Sequence, residues 1–323
     1  MDKVLIIQTA FLGDVILATP LIENIHEHFP NAQIDFLLKK GNEALLKEHP
    51  ILRKTYVFDK SRKRKSMMEL IRSIRKEQYD LVINLHRFAS SGLITTLSGA
   101  KETRGFTKNP FSFLYSKRVP HELGKGQHEV DRNLSLISDF VEHPQRRPQL
   151  FPSQADLDFV SQWKNEAYFC LAPASVWFTK QAPPAIWQYV MEKFDEEGVQ
   201  FYLLGGPADH ELCEGIKLVS QRKNVHNLAG KLSLMQSAAL MKDAKRNFVN
   251  DSGPLHIASA GNAPVSAFFC STTPEFGFGP LSDDSNVIEV KNLDCKPCGL
   301  HGHKACPKGH FHCGNGLIEA MND

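Results

Sequence analysis

The sequence predicts an α/β protein made of two doubly wound, Rossmann-like domains facing a common cleft. Three observations carry that expectation. Short β-branched apolar runs alternate with amphipathic stretches of helical length through the first half of the chain, beginning at Lys3-Val4-Leu5-Ile6-Ile7. The alternation is broken once, at His143-Pro144-Gln145-Arg146-Arg147-Pro148 and again at Pro152, and then resumes with the same architecture. Strands that alternate with helices of this length are joined by right-handed crossovers and lie parallel in one sheet. The break divides the chain into residues 1–150 and 151–323, and a chain of 323 residues suits roughly two domains of ordinary size.

The elements follow in order. The run from Lys3 to Ile7 is too short and too apolar for a surface helix, and reads as a buried parallel strand. It ends in Gln8-Thr9-Ala10-Phe11-Leu12-Gly13-Asp14, and residues 15–28 are amphipathic. Strands are expected over 33–38, 55–58 and 81–85, and helices over 42–48, 67–76 and 90–97. A helix over 128–140 closes the first domain. In the second, strands are expected over 169–173 and 200–204, a short extended run over 225–228, and helices over 185–196, 208–219 and 233–244. The last unit runs from strand Asn247-Phe248-Val249 through Asn250-Asp251-Ser252-Gly253-Pro254-Leu255-His256 into a short helix and a strand ending at Cys270.

Composition removes several classes of function. A hydrophobic content of 42% with 23% charged residues is that of a soluble globular chain. A net charge of +2 is too small to draw nucleic acid as a bulk partner. No apolar run approaches the length of a membrane span, and the strand pattern starts within three residues of Met1. No signal peptide is expected, so the protein reads as cytoplasmic with any membrane contact peripheral.

Chemistry is sought where strands end. Gly253 permits close backbone approach, Pro254 suits the start of a helix, and Ser252 or Asp251 can cap it. Free N–H groups there would face an anion such as a phosphate, although an ordinary capped helix explains the same residues. Leu12-Gly13-Asp14-Val15 opens a helix after the first strand, but a single glycine without G-x-G-x-x-G disfavours NAD. Asp14 there is a cap, a general base for a hydroxyl nucleophile, or both. Thr179-Lys180 offers a diphosphate grip through a charge and a hydroxyl, or a solvated lysine. Gly205-Gly206 marks another strand end, with Glu211 downstream as a ribose acceptor or a plain surface glutamate.

Lys60-Ser61-Arg62-Lys63-Arg64-Lys65, followed by Arg72, Arg75 and Lys76, concentrates positive charge in the first half. It is a solvated face or the seat of an anionic partner. Three of the seven cysteines are scattered, and Cys295, Cys298, Cys306 and Cys313 cluster among His301, His303, His310 and His312. Four thiolates could make a structural zinc site, whereas free thiols in a folded lobe are the alternative.

Taken together, these motifs resemble glycosyltransferase family nine, of the lipopolysaccharide heptosyltransferase type. The resemblance spans nearly the whole chain. It rests on Leu12-Gly13-Asp14-Val15-Ile16 with Thr19-Pro20, on Asn84-Leu85-His86, on Leu97-Ser98-Gly99-Ala100-Lys101, and on His128-Glu129-Val130-Asp131-Arg132. Thr179-Lys180, Leu204-Gly205-Gly206 and the run from Asn250 to His256 complete it.

The resemblance implies a GT-B fold, with an N-terminal acceptor domain and a C-terminal nucleotide-sugar domain. It implies inverting transfer of a heptose from ADP-L-glycero-β-D-manno-heptose to the lipopolysaccharide inner core at the cytoplasmic face of the inner membrane. Asp14 would be the base. Thr179, Lys180 and the backbone from Ser252 through Gly253, Pro254 and Leu255 to His256 would hold the diphosphate. Asp251 would shape that loop, Gly205 and Glu211 would serve the nucleotide, and Gly13, Arg62 and Arg64 the acceptor. No tightly bound cofactor is implied, a divalent cation being at most stimulatory. The chain departs from its relatives in Lys180-Gln181-Ala182-Pro183-Pro184, where they carry a tryptophan before the proline, and in Ala10-Phe11 before Leu12. A transferase using UDP- or GDP-sugars, a nucleotide-sugar epimerase of the same plan, and a non-catalytic nucleotide- or glycan-binding protein are the other readings.

Overall fold

The computed structural model describes residues 1–322, with Lys63 described by its backbone alone. The chain divides into two compact units, Met1–Leu123 with Gln127–Phe151, and Gly124–Gly126 with Pro152–Asp323. Each is built on one parallel six-stranded sheet.

In the first unit the strands are β1 (Lys3–Gln8), β2 (Gln33–Lys39), β3 (Leu52–Phe58), β4 (Leu81–Asn84), β5 (Glu102–Phe106) and β6 (Lys117–Val119). Their order is β3-β2-β1-β4-β5-β6, all parallel. The helices are α1 (Leu12–Ile16), α2 (Pro20–His28), α3 (Lys63–Glu77), α4 (Ala89–Thr96) and α5 (Glu129–Leu134). Leu5, Ile7, Leu37, Val82 and Ile94 pack with Leu70, Ile71 and Ile74 of α3 into a core. Helices on a parallel sheet leave such strands apolar on both faces, which is why β1 and β4 read so plainly.

A carboxylate is buried against that core. Asp35 of β2 is fully buried and accepts hydrogen bonds from Arg53 Nε at 2.9 Å and from the Tyr79 hydroxyl. Without Asp35, Arg53 stays exposed and keeps Glu77, and the Tyr79 hydroxyl keeps Tyr56, so the loss is mainly that of the carboxylate's own bonds. Asp35→Ala is therefore expected to cost about 2 kcal/mol, seen as a lower urea midpoint at unchanged slope; an unaltered midpoint would mean the pair is dispensable.

In the second unit the strands are β7 (Tyr168–Ala172), β8 (Gln200–Leu203), β9 (Val225–Asn227), β10 (Arg246–Asn250), β11 (Val265–Phe268) and β12 (Ser285–Ile288). The order β12-β11-β10-β7-β8-β9 repeats the first sheet's pattern. Helices α6 (Gln154–Val160), α7 (Pro184–Lys193), α8 (His210–Ser220), α9 (Leu234–Lys242), α10 (Gly253–Ala260), α11 (His312–Asn315) and α12 (Leu317–Ala320) complete it. Its core gathers Phe169, Phe201, Phe248 and Phe268 around Trp187. Among the described residues, no helix is long and apolar enough to cross a membrane.

Some expectations need correction. Residues 42–48 hold one 3-10 turn, Glu43–Leu45, because the segment is only seven residues long and runs into His49-Pro50. The expected helix over 128–140 is α5 followed by a 3-10 turn, Ser135–Ile137. Strands β5, β6 and β12 were not anticipated. β5 escapes a hydropathy reading because Arg104, only 4% exposed, is neutralised by Glu102 at 2.6 Å and Asp139 at 2.5 Å.

Candidate active site

Each sheet reverses its strand order once, between β1 and β4 and between β7 and β10. In doubly wound sheets ligands bind at the carboxyl ends of the strands that flank such a point. The residues singled out from the sequence fall mostly on these loops.

In the second unit, Asn250 ends β10 with a fully buried side chain. Its Nδ2 donates to the Pro173 carbonyl at 2.8 Å, and its Oδ1 accepts from the Ala182 N–H at 2.9 Å. One amide thus clamps both ends of the loop after β7. That loop carries Lys180, whose Nζ lies 2.7 Å from Asp251 Oδ2. Asp251 also accepts from the Thr272 hydroxyl at 2.6 Å, which holds the carboxylate and so aims the ammonium. Asn250 and Thr272 had no role assigned from the sequence. A buried asparagine at a strand end was the available signal.

Thr179 is placed otherwise than a diphosphate grip requires. It is 1% exposed, and its Oγ1 accepts from the His303 N–H at 2.8 Å and the Ser271 hydroxyl at 2.9 Å. The Thr179 N–H donates to the His303 carbonyl at 3.1 Å. Thr179 therefore ties the C-terminal segment to the Lys180 loop. Gly302, at φ +78°, makes the approach possible: a Cβ there would lie 3.0 Å from Lys180 Cγ and 3.1 Å from Thr179 Oγ1.

The start of α10 also differs from expectation. Asp251 is committed to Lys180 and Thr272, and Ser252 makes no side-chain cap bond, its hydroxyl turning back to the Asn250 carbonyl at 3.3 Å. With Gly253 and Pro254 opening the helix, Ser252 leaves its first N–H groups without a side-chain cap bond, while Leu255 and His256 are buried behind it. Gly205 lies beyond β8, where its missing Cβ admits Asp209 and Ala229 rather than an open space. Glu211 stands exposed in the first turn of α8, and its side chain makes no ion pair or hydrogen bond among the described residues.

In the first unit, Asp14 is the third residue of α1, half-buried, with Oδ2 accepting from the Phe11 N–H at 3.1 Å. Burial, and then the nearby charge of Glu129, push its pKa up to about 6, against the N–H bonds and Lys39. Glu129 itself is held ionised. Burial would raise its pKa, but His121, 3.1 Å away, and Arg132, 2.7 Å away, outweigh that and bring it below the usual range. His86, after β4, pairs through Nδ1 with the Thr9 hydroxyl at 2.9 Å. Burial, then Lys60, Arg87 and Lys39, depress its pKa to about 4, so the ring is neutral at pH 7. Glu129 and His86 lay in recognised motifs, but their charges could not be read from sequence. Gly13 is half-buried beside Asp14, and Arg62 and Arg64 are exposed where α3 begins, with no acidic residue in its first turn. The Lys63 side chain, part of the same basic run, lies outside the described residues.

The four clustered cysteines are free thiols. Cys313 is packed into the second core, and burial pushes its pKa up to about 11. Cys295 Sγ is 4.0 Å from His310 Nε2, and Cys298 Sγ donates to the Cys295 carbonyl at 2.9 Å. Among the described residues, no group of three or more His, Cys, Asp or Glu side chains is placed to hold a metal ion. The four-thiolate zinc set of Cys295, Cys298, Cys306 and Cys313 is not assembled, one member being spent on the core.

Residues 67–309 match the sequence profile of glycosyltransferase family 9 (heptosyltransferase). The chain belongs to that family. The transferase is 25% identical over 314 residues to lipopolysaccharide heptosyltransferase 1 of Pseudomonas aeruginosa, covering 92% of this chain and 86% of that one. Among solved structures it is similar to ADP-heptose lipopolysaccharide heptosyltransferase II of Escherichia coli, at TM-score 0.78 and 21% identity over 99% of this chain and all of the other. It is also similar to the E. coli heptosyltransferase WaaC solved with ADP, at TM-score 0.74 and 19% identity over 99% of each. Both solved relatives agree with the GT-B architecture of paired parallel sheets.

Proposed function

We propose that this transferase moves a heptose from ADP-L-glycero-β-D-manno-heptose to the inner core of lipopolysaccharide, with inversion at the anomeric carbon. The observation that carries the reading is Lys180, aimed by Asp251 at the turning point of the second sheet, beside an α10 N-terminus that Ser252 does not cap. That combination suits a diphosphate that gains charge as it leaves. A lysine and a helix N-terminus can meet that charge without a bound metal.

In this reading Asp14 accepts the proton of the acceptor hydroxyl. The hydroxyl oxygen forms its bond to the anomeric carbon as the bond to the β-phosphate oxygen breaks, and the electron pair leaves with ADP. A carboxylate with a pKa of about 6 suits the task, since it is mostly ionised at pH 7 yet more basic than an ordinary aspartate. Thr179 positions Lys180 instead of touching the donor, Gly205 and Glu211 serve the nucleoside, and Gly13, Arg62 and Arg64 receive the acidic acceptor. The acceptor is lipid-linked, so the protein works in peripheral contact with the inner membrane from its cytoplasmic side.

Calorimetry with ADP, UDP, GDP and NAD tests the donor assignment without an acceptor. ADP is expected to bind best. A preference for UDP or GDP would keep the transferase and discard the heptose, and the absence of any nucleotide binding would return the Asn250 loop to a plain structural turn.

A further inference from the structure

The loops after β4 and β5 carry exposed apolar side chains to which the proposed transfer step gives no role. Phe113 is 67% exposed, Leu114 57% and Phe88 54% in the whole chain. Large apolar side chains at a mobile tip need no explanation, but this turn is pinned. Asn109, buried, donates from Nδ2 to the carbonyls of His86 at 2.8 Å and Phe88 at 3.1 Å, and its Oδ1 accepts from the Phe111 N–H at 2.9 Å. Ser112, also buried, donates to the Thr107 carbonyl at 3.1 Å. Tyr115 is buried with its hydroxyl accepting from Asn84 Nδ2 at 2.8 Å. Between these anchors the 3-10 turn Ser112–Leu114 can only present Phe113 and Leu114 outward, and Asn109 ties it to the loop that presents Phe88.

The charges on the two loops themselves, Arg87 and Lys108, have one sign. Glu102 is the single acidic residue between Asp80 and Glu122, and it is bonded to Arg104 at 2.6 Å. Arg87, Lys108 and Arg118 are exposed, and the Arg87 guanidinium lies 5.3 Å from the centre of the Phe88 ring. Rigid apolar tips on loops that carry only cations match an interface whose outer layer is anionic and whose interior is hydrocarbon. A protein groove lined by acids would supply the charge but not the apolar depth for three separate side chains on two loops.

We propose that the turn over residues 109–115, with Phe88 beside it, is a lipid-docking surface that seats the first unit on an anionic bilayer. Phe113, Leu114 and Phe88 enter the headgroup boundary, while Arg87, Lys108 and Arg118 meet the lipid phosphates. The inference deepens the membrane contact proposed above and rests on it, but its test does not require transfer to occur.

The test is co-sedimentation of the full chain with vesicles of phosphatidylglycerol and phosphatidylethanolamine, and separately with vesicles of phosphatidylcholine alone. The parent protein should sediment with the anionic vesicles and far less with the neutral ones. Replacing both tips, Phe113→Ser with Leu114→Ser, should weaken the anionic partition by at least about tenfold, since several buried methylene equivalents are lost. ADP binding should be unchanged, which shows that the variant folds and keeps failure here separate from failure of the donor assignment. Lys108→Glu with Arg118→Glu should erase the preference for anionic over neutral vesicles. Parent protein that stays in the supernatant, or a tip variant that sediments like the parent, overturns the proposal. So does a dimer in gel filtration that the tip substitutions dissolve, because a second copy would then be what covers the patch.

Discussion

Asp14→Asn is expected to lower kcat by roughly a thousandfold, within the span assigned to a positioned general base, while ADP binds almost as before. The reasoning starts from the local geometry. Asp14 sits in the first turn of α1 and accepts the Phe11 N–H through Oδ2, and asparagine can keep that bond through its Oδ1. Helix and loop should therefore survive, and only the proton acceptor is lost. If nucleotide affinity fell together with kcat, Asp14 would be a structural cap and the assignment of the base would be wrong.

The same carboxylate, acting as the proposed base, should set the pH dependence. With its pKa pushed up to about 6, the productive ionised form is lost as pH falls through that value. The rate should thus climb to a plateau above pH 6 and decline on the acid side. Glu129 is the charge the protein adds to burial in setting that position. Glu129→Gln removes a negative neighbour, so the Asp14 pKa should fall and the acid limb of the profile should move to lower pH. An acid limb that stays in place in Glu129→Gln, with kcat at the plateau preserved, would show that burial alone sets the pKa of Asp14.

How much of this was legible beforehand depends on the kind of residue. The central strands β1, β4, β7 and β10 were plain because parallel strands covered on both faces must be apolar along their length. β5 was not, since its Arg104 is buried by pairing with Glu102 two residues before it and with Asp139, distant in sequence. Lys180 and Asp251 could each be singled out at a strand end, yet nothing local shows that they meet. Their 2.7 Å contact arises only because β10 lies beside β7, with two strands and three helices between them in sequence. Thr179 misled for a related reason: a hydroxyl beside a lysine looks like a ligand grip, and only the fold brings His303 back across the sheet to take it. Cys295 and Cys298 likewise have metal-ligand spacing, but Cys313, which a four-thiolate set would need, turns into the core.

Lys180→Ala is expected to weaken ADP binding by about 2–3 kcal/mol, the scale of a charge-assisted hydrogen bond, which is roughly a fiftyfold rise in Kd. Two effects add. The ammonium that would face the diphosphate disappears, and the mostly buried Asp251 carboxylate is left without its cation, held by Thr272 beside a ligand of the same sign. Asp251→Asn separates the two. It leaves the ammonium in place and removes only the charge that aims it, so its cost should be smaller, and adding it to Lys180→Ala should restore part of the loss because contacting residues do not act additively. Gly302→Ala probes the same lysine from behind. Its Cβ would press on Lys180 Cγ and Thr179 Oγ1 and would hold an L residue at φ +78°, a strain of about 1–2 kcal/mol. ADP affinity should drop although Gly302 itself is assigned no contact with the nucleotide. Were Gly302→Ala to bind ADP like the parent while Lys180→Ala did not, the C-terminal segment would be a bystander and Lys180 would be aimed by Asp251 alone.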